Sequence, residues 1–197
     1  MIKTKIENVC LQDKFKGHHK IKDNLIKKIL SENKVDRLTE GKKKFENILP
    51  MSINRSDWNN SENQDREWVK YFAPYLRINF DDMLSELGID SNYRIDRLWF
   101  QHYIKSDIHD WHIHGGNYTG VYYVKFDGVN KTQLINQFDN SLIDIEAEEG
   151  DIIIFPSNVI HRCPRVTNEK IIVSFNLDIV NFTKEYVKFM KESFGND

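Results

Sequence analysis

Residues 150–161 read GDIIIFPSNVIH, and they contain an unbroken run of three isoleucines followed by a phenylalanine. A short run of β-branched and aromatic residues between a glycine and a proline predicts a strand, here over residues 151–155. The turn that ends this strand is followed directly by His161. We therefore expect His161 to lie at the end of a strand.

The same strand pattern recurs on both sides of this segment. Residues 93–104 alternate between two faces, and residues 120–126 form a second β-branched and aromatic run. Glycine, aspartate, asparagine and proline separate these short runs, which favours an all-β sandwich or barrel. We predict further strands over residues 132–138, 142–147 and 170–177.

The first ninety residues have a different pattern, which predicts a helical, polar-rich section. Aromatic and apolar residues recur at fourfold spacing from Trp68 to Leu76, as in a helix that buries one face. Pro74 is expected to kink or restart that helix. Residues 53–64, which are dense in Asn, Ser and Asp, are expected to form a loop.

One domain over residues 1–197 is the organisation that this length predicts. Its expected parts are a helical front section over residues 1–90, a β core over 91–180 and a closing amphipathic helix over 181–197. The predicted fold class is therefore mainly β with flanking helices (α+β).

The composition excludes several classes of protein. The 28 Lys and Arg nearly balance the 30 Asp and Glu, so no broad electrostatic reason exists for binding nucleic acid or an anionic membrane. Cys10 and Cys163 stand far apart, which argues against a disulfide scaffold. No apolar stretch approaches the roughly 20 residues that span a bilayer, and no apolar signal core follows Met1. We expect a soluble, cytoplasmic protein.

Three histidines are spaced for metal binding. His112 and His114 are two residues apart, so in an extended segment they share one face with Cα atoms about 6.5 Å apart. Their ring nitrogens can then converge on one ion at the roughly 2.0–2.1 Å that imidazole prefers. With His161 as a distant third ligand, the sequence predicts a three-point metal site. His102 and His109 are predicted to be structural or solvent-exposed.

Four motifs, given in chain order at the end of this paragraph, together resemble the 2-oxoglutarate/Fe(II) oxygenase superfamily. The resemblance is in particular to the small prolyl-hydroxylase-like oxygenases of phage and marine bacteria. The resemblance extends over about residues 93–180, and it implies a double-stranded β-helix (jelly-roll) core packed against the N-terminal helices. The motifs are Tyr103-x8-His112-x-His114, Gly120-Val121-Tyr122-Tyr123-Val124, the segment 150–161 quoted above, and Lys170-x3-Ser174-Phe175-Asn176.

The resemblance also implies roles for individual residues and two cofactors, Fe(II) and 2-oxoglutarate. His112 matches the first iron ligand and His161 the distal histidine. Lys170 matches the basic residue that pairs with the outer carboxylate of 2-oxoglutarate. A lysine ammonium is a point charge, and it is a suitable partner for a carboxylate. Tyr103 matches a tyrosine whose hydroxyl lies near the co-substrate, and Ser174 can add a hydrogen bond to the same carboxylate.

Position 114 departs from the family pattern, which has Asp or Glu there to complete a facial triad of two histidines and a carboxylate. Three interpretations remain open. His114 is itself a ligand, which we favour; or Asp110 or Asp107 binds the metal and His114 supports the site; or water or a halide fills the third position.

The function that the resemblance implies is a dioxygenase that uses O2 and 2-oxoglutarate to hydroxylate a C–H bond of a peptidyl, amino-acid or other small substrate. One alternative is a three-histidine cupin dioxygenase without 2-oxoglutarate, which leaves Lys170 unexplained and lacks the glutamate expected after the histidine pair. The other is a non-catalytic, phage-associated binding protein with an oxygenase-like barrel.

Overall fold

The computed structural model describes residues 10–32, 35–40, 51–86 and 93–179. These residues form two α-helices, α1 (His18–Leu30) and α2 (Glu67–Glu86), and a short 3₁₀ helix (Trp58–Asn60). The strands are β1 (Leu11–Lys14), β2 (Asp36–Glu40), β3 (Met51–Ser56), β4 (Tyr93–Tyr103), β5 (Ile108–His112), β6 (Tyr118–Lys125), β7 (Gln133–Ile135), β8 (Leu142–Asp144), β9 (Asp151–Pro156), β10 (His161–Cys163) and β11 (Lys170–Ile179).

The strands form one curled antiparallel sheet in the order β1-β9-β6-β11-β4-β3-β5-β10-β7-β8, with β2 beside β3. β3 joins the two halves of the sheet, because it pairs with β4 through Ser56 and with β5 through Ser52. β11 is the central strand of one half and pairs along its length with β4 and β6. The predicted class, mainly β with flanking helices, is confirmed.

The two helices cover the outer face of β4, β6, β9 and β11. The fourfold apolar spacing of α2 places Trp68, Phe72 and Leu76 in a fully buried cluster with residues of the sheet. Phe72 stacks on Tyr122 of β6 at a centroid distance of 5.4 Å. Each helix is therefore stabilised mainly by the apolar face that it buries against the sheet.

A second apolar cluster fills the space between the two halves of the sheet. Alternation along β9 divides its side chains between the two clusters: Ile152 and Ile154 face the helices, whereas Ile153 and Phe155 face the interior. Tyr103 of β4 also belongs to the interior cluster. Side chains of this inner layer surround the functional site.

The front section differs from the predicted helical section in three respects, and the first is that it contributes the strands β1 and β2 to the sheet. Residues 53–64 were expected to be a loop, but residues 51–56 form β3 because it pairs with strands distant in sequence, which its Ser- and Asn-rich composition conceals. A helix restart at Pro74 was also wrong, since α2 runs through that residue. Pro74 lies on the exposed face of α2, where water can solvate the carbonyl that its missing N–H leaves unpaired.

The predicted C-terminal helix over residues 181–197 lies outside the described residues, and the one-domain organisation stays a prediction. Among the residues that the structure describes, no helix combines the length and the apolar character needed to cross a membrane.

A buried polar cluster fixes the segment between β3 and α2. Asp57 is 1% exposed; its carboxylate accepts hydrogen bonds from the Phe100 backbone N–H at 2.9 Å and the Trp68 indole N–H at 2.8 Å. The guanidinium of Arg66 pairs with the same carboxylate and also donates to the Leu98 carbonyl. This cluster therefore ties the residue before Trp58 to β4 and α2.

We predict that Asp57→Asn lowers the free energy of unfolding by about 3–5 kcal/mol, because it leaves the Arg66 guanidinium buried without an anion. Urea denaturation followed by circular dichroism measures this loss. The matched control is Glu62→Gln, which removes an exposed carboxylate paired with Arg97 and should change stability by no more than about 0.5 kcal/mol. Equal effects of the two substitutions would contradict the assignment.

Candidate metal centre

The pairing of β5 with β10 brings the three predicted histidines together. His161 and His112 are directly opposite each other in the antiparallel register. His114 lies just beyond the end of β5, where its backbone N–H donates to the Ser157 carbonyl at 3.0 Å. One ring nitrogen from each histidine lies within 4.8 Å of the other two. Within the described part of the chain, this cluster is suited to holding one metal ion.

The ring orientations of two of these histidines follow from their hydrogen bonds. Nδ1 of His112 lies 2.6 Å from the Asp110 carbonyl, and Nδ1 of His161 lies 2.9 Å from the Val159 carbonyl. Because a carbonyl only accepts, each Nδ1 carries the proton and each Nε2 keeps its lone pair. Metal-binding histidines are usually oriented in this way.

Burial keeps the three rings neutral. Burial lowers the pKa of His161 to about 3, and repulsion from the protonated form of His112 adds to this effect. Burial, with His161 and His112 nearby, lowers the pKa of His114 to about 2, and burial also lowers the pKa of His112. A neutral imidazole is the form that binds a metal.

The two carboxylates considered as alternative ligands are engaged elsewhere. Asp107 accepts hydrogen bonds from the backbone N–H groups of Asn54 at 2.7 Å and Ile104 at 3.0 Å. Asp110 accepts from the Trp111 N–H at 2.8 Å, and one of its oxygens lies 3.9 Å from the Arg162 guanidinium. Neither residue belongs to the histidine cluster.

Lys170 is a buried cation without a carboxylate partner among the described residues. The residue is only 2% exposed. Its Nζ donates hydrogen bonds to the Asn130 carbonyl at 3.1 Å and to Cys163 Sγ at 3.5 Å. Tyr103, opposite Lys170 in the β4–β11 register, has a buried hydroxyl with no hydrogen-bond partner in the described structure. The ammonium also lies 4.9 Å from the ring centroid of Phe126 and 5.2 Å from that of Tyr123, so neutral groups surround it, whereas the Tyr103 hydroxyl makes no hydrogen bond.

Ser174 lines the interior further along β11, where it is opposite Trp99 of β4. Its hydroxyl donates to Gln101 Oε1 at 3.2 Å. Lys170 is opposite Tyr103, four residues away along β11. The neighbours of Ser174, Trp99 and Gln101, contact His114 and His109 respectively. Ser174 therefore lies near the histidines rather than beside the Lys170 ammonium. A hydrogen bond from Ser174 to a co-substrate stays a prediction.

His109 is a site residue that sequence reasoning missed. Its ring stacks on that of His112, with a centroid distance of 3.8 Å and an interplanar angle of 12°. Residues three apart in a regular strand face opposite sides. The β5–β10 register is irregular, however, because it pairs His112 with His161 and His109 with Cys163. This irregularity brings the rings of His109 and His112 to one side. The amide of Gln101 also contacts His109, at 3.1 Å.

Two cavities meet at the histidines. The outer one, of about 190 Å³, has Trp58, Trp99 and Ile113 in its walls and His112 and His114 at its base. The inner one measures only about 30 Å³ and reaches into the barrel, with Tyr103, His161 and Cys163 among its lining residues. The site therefore has an open outer chamber and a narrow interior.

Comparison with solved structures identifies the fold. An oxidoreductase of the 2OG-Fe(II) oxygenase family from Burkholderia pseudomallei matches with a TM-score of 0.66 and 12% identity, over 87% of this chain and 86% of that one. The viral collagen prolyl hydroxylase of Paramecium bursaria Chlorella virus-1, solved with 2OG, matches with a TM-score of 0.53 and 12% identity, over 87% and 96% of the two chains.

A third match has a different reaction. The non-heme alpha ketoglutarate dependent epimerase SnoN from nogalamycin biosynthesis gives a TM-score of 0.62 at 9% identity, over 86% of this chain and 77% of that one. No protein-family model and no curated protein sequence matches this chain. At these identities the likeness shows the fold, and the resemblance to the 2-oxoglutarate/Fe(II) oxygenases is confirmed at that level.

We predict that Lys170→Met raises the free energy of unfolding of the ligand-free chain by about 1–3 kcal/mol, because it replaces a buried ammonium that has no ion-pair partner among the described residues with an apolar side chain of similar length. Chemical denaturation of both proteins measures the difference. Lys125→Met, which removes an exposed ammonium paired with Glu169, is the control and should change stability by less than about 0.5 kcal/mol. A loss of stability on Lys170→Met would show that the ammonium already has a compensating partner.

Proposed function

We propose that this chain is an Fe(II)- and 2-oxoglutarate-dependent dioxygenase built on a double-stranded β-helix. His112, His114 and His161 would hold the iron. Three neutral ring nitrogens within 4.8 Å of one another support this assignment, because imidazole is a suitable ligand for Fe(II). With 2-oxoglutarate and O2, a bound iron supplies the oxidation of a substrate C–H bond, and 2-oxoglutarate becomes succinate and CO2.

The residues of the chain would contribute by orienting the histidine rings that bind the metal and by enclosing them. The backbone carbonyls of Asp110 and Val159 hold the Nδ1 protons of His112 and His161, so that both Nε2 lone pairs stay turned away from those carbonyls. Trp99 and Phe155 lie against the histidine rings, with centroids 5.5 Å from His114 and 4.9 Å from His161 respectively. These apolar walls limit the access of water to the site.

The observation that carries the 2-oxoglutarate assignment is the buried Lys170 ammonium. A buried cation needs an anion, and among the described residues no carboxylate lies within ion-pair distance of Lys170 Nζ. The outer carboxylate of 2-oxoglutarate would provide that charge, and the unpartnered hydroxyl of Tyr103 would donate a hydrogen bond to it. Ser174 is proposed to line the same pocket on the histidine side.

The narrow interior sets a condition on this binding. A cavity of about 30 Å³ has room for about one water molecule, so 2-oxoglutarate has to displace side chains to reach Lys170. The open outer chamber joins the inner cavity at His112 and provides the route.

The reaction outcome is proposed as hydroxylation of a peptidyl, amino-acid or other small substrate. The fold alone does not fix the reaction, since an epimerase and a prolyl hydroxylase share it. A three-histidine dioxygenase without 2-oxoglutarate remains the second candidate, because the ligand set contains no carboxylate. That candidate gives no role to the Lys170 charge.

Anaerobic calorimetry of the Fe(II)-loaded chain tests the proposal. We predict saturable binding of 2-oxoglutarate, weakened about 100-fold by Lys170→Met through the lost charge-assisted contact. Lys125→Met should bind as the unsubstituted chain does. When O2 is admitted, succinate should form, and it should form faster with a true substrate.

Tight iron binding without any affinity for 2-oxoglutarate would contradict the proposal. If O2 were then consumed, the cupin-like alternative would be supported; if it were not, the non-catalytic alternative would be. Full affinity for 2-oxoglutarate in the Lys170→Met variant would remove the assigned role of the lysine.

A further inference from the structure

We propose that the outer cavity binds an uncharged, largely apolar group of about the size of one six-membered ring, which carries a neutral hydrogen-bond acceptor. Trp58 and Trp99 would hold the ring, and His109 would donate to the acceptor. The identification of this group as part of the oxidised substrate rests on the proposed function; its binding to the cavity does not.

The size of the cavity limits the occupant. Its volume is about 190 Å³, and an apolar protein cavity of about 150 Å³ is large enough for benzene. One ring with one small substituent therefore fills the cavity. The exposed side chain of Ile113 lies at the rim, so the remainder of a larger substrate can extend into solvent.

The walls favour a neutral occupant. Among the described residues that line this cavity, none is Asp, Glu, Lys or Arg. Arg97, whose Cζ lies 5.4 Å from the Trp58 ring, is paired with Glu62. In the metal-free chain, a charged group that entered would lose hydration without gaining an ion pair, which costs far more than the transfer of a neutral group.

Two indoles give this cavity its aromatic character. Trp58 and Trp99 meet edge to face, with a centroid distance of 4.6 Å and an interplanar angle of 83°. The 3₁₀ helix that carries Trp58 is held by the buried Asp57–Arg66 pair. The aromatic wall is therefore fixed before a ligand binds, which reduces the entropy lost on binding.

A hydrogen-bond chain fixes the donor that His109 offers. The Ser174 hydroxyl donates to Gln101 Oε1, so the Gln101 amide presents its NH2 group to His109 Nδ1. Nδ1 must then accept, which places the proton of the neutral ring on Nε2. His109 lines the cavity, and its Nε2–H has no partner among the described residues. It can donate to a carbonyl, an ether or a hydroxyl oxygen.

The position of the cavity connects this binding to the proposed chemistry. His112 and His114 belong both to the base of the cavity and to the metal cluster. A ring bound against the indole wall therefore lies next to the proposed metal, and the C–H bond to be oxidised would be on this ring or on its substituent.

Three probes of nearly the same shape but different charge test the inference: benzamide (neutral), benzoate (anionic) and benzamidinium (cationic). The metal-free full chain is titrated with each, and binding is followed by ligand-observed NMR. We expect benzamide to bind with a dissociation constant of about 1 mM or below, and at least about tenfold more tightly than either ion. Equal or tighter binding of an ion, or no saturable benzamide binding up to about 10 mM, would overturn the inference.

Substitutions locate the binding. Trp58→Leu should weaken benzamide about tenfold, whereas Trp111→Leu, which changes an indole outside both cavities, should leave it unchanged. His109→Phe keeps a ring beside His112 but removes the donor, so it should weaken benzamide and leave toluene unaffected. An unchanged benzamide affinity in Trp58→Leu, or equal changes for benzamide and toluene in His109→Phe, would contradict the assigned contacts.

The titration contains neither metal nor 2-oxoglutarate, so its failure and that of the proposed function are distinguishable. Loss of benzamide selectivity with intact 2-oxoglutarate binding would refute only the substrate class. Intact selectivity without 2-oxoglutarate binding would refute only the oxygenase.

Discussion

The antiparallel pairing of β5 with β10 is the constraint on which the site depends. It places His161 directly opposite His112, although the two residues are nearly fifty positions apart in the chain. A slip of one residue would turn the ring of His161 to the other face of the strand and separate the ligand nitrogens. The irregularity in the same pairing brings His109 alongside His112, so one short strand pair organises four of the seven histidines.

In the proposed metal site, His114 stands at the position where the resemblance implies a carboxylate. Three imidazoles contribute no negative charge, so a divalent iron held by them would keep its full charge until an anion binds. The dianion 2-oxoglutarate would neutralise it at one end and meet the Lys170 ammonium at the other. Without a bound anion, the Lys170 ammonium has no ion-pair partner among the described residues, which costs stability. The proposed co-substrate would therefore complete the electrostatics of the barrel as well as the chemistry.

The sequence predicted what depends on local pattern. Alternation and β-branched runs predicted most strands of the core, including β4, β6, β9 and β11, and the histidine spacing predicted the cluster at the end of β5. The sequence could not predict contacts that arise from pairing between distant segments. His109 was missed because its position depends on a bulge, and β3 was missed because its polar composition is typical of a loop.

The outer cavity illustrates the same limit. Trp58 lies in a segment without regular periodicity, and its place against Trp99 depends on Asp57, whose partners come from α2 and β4. Likewise, Lys170 could be matched to a motif, but only the fold reveals that it is buried and that no described carboxylate lies within ion-pair distance of it. Burial and the absence of a partner are tertiary properties.

X-ray absorption spectroscopy of the Fe(II)-loaded chain, compared with a His114→Ala variant, tests the three-histidine site, because multiple scattering distinguishes imidazole from carboxylate ligands. We expect one iron per chain with three imidazoles at about 2.0–2.2 Å and two in the variant. Two imidazoles and a protein carboxylate in the unsubstituted chain, or an imidazole count unaffected by His114→Ala, would contradict this expectation.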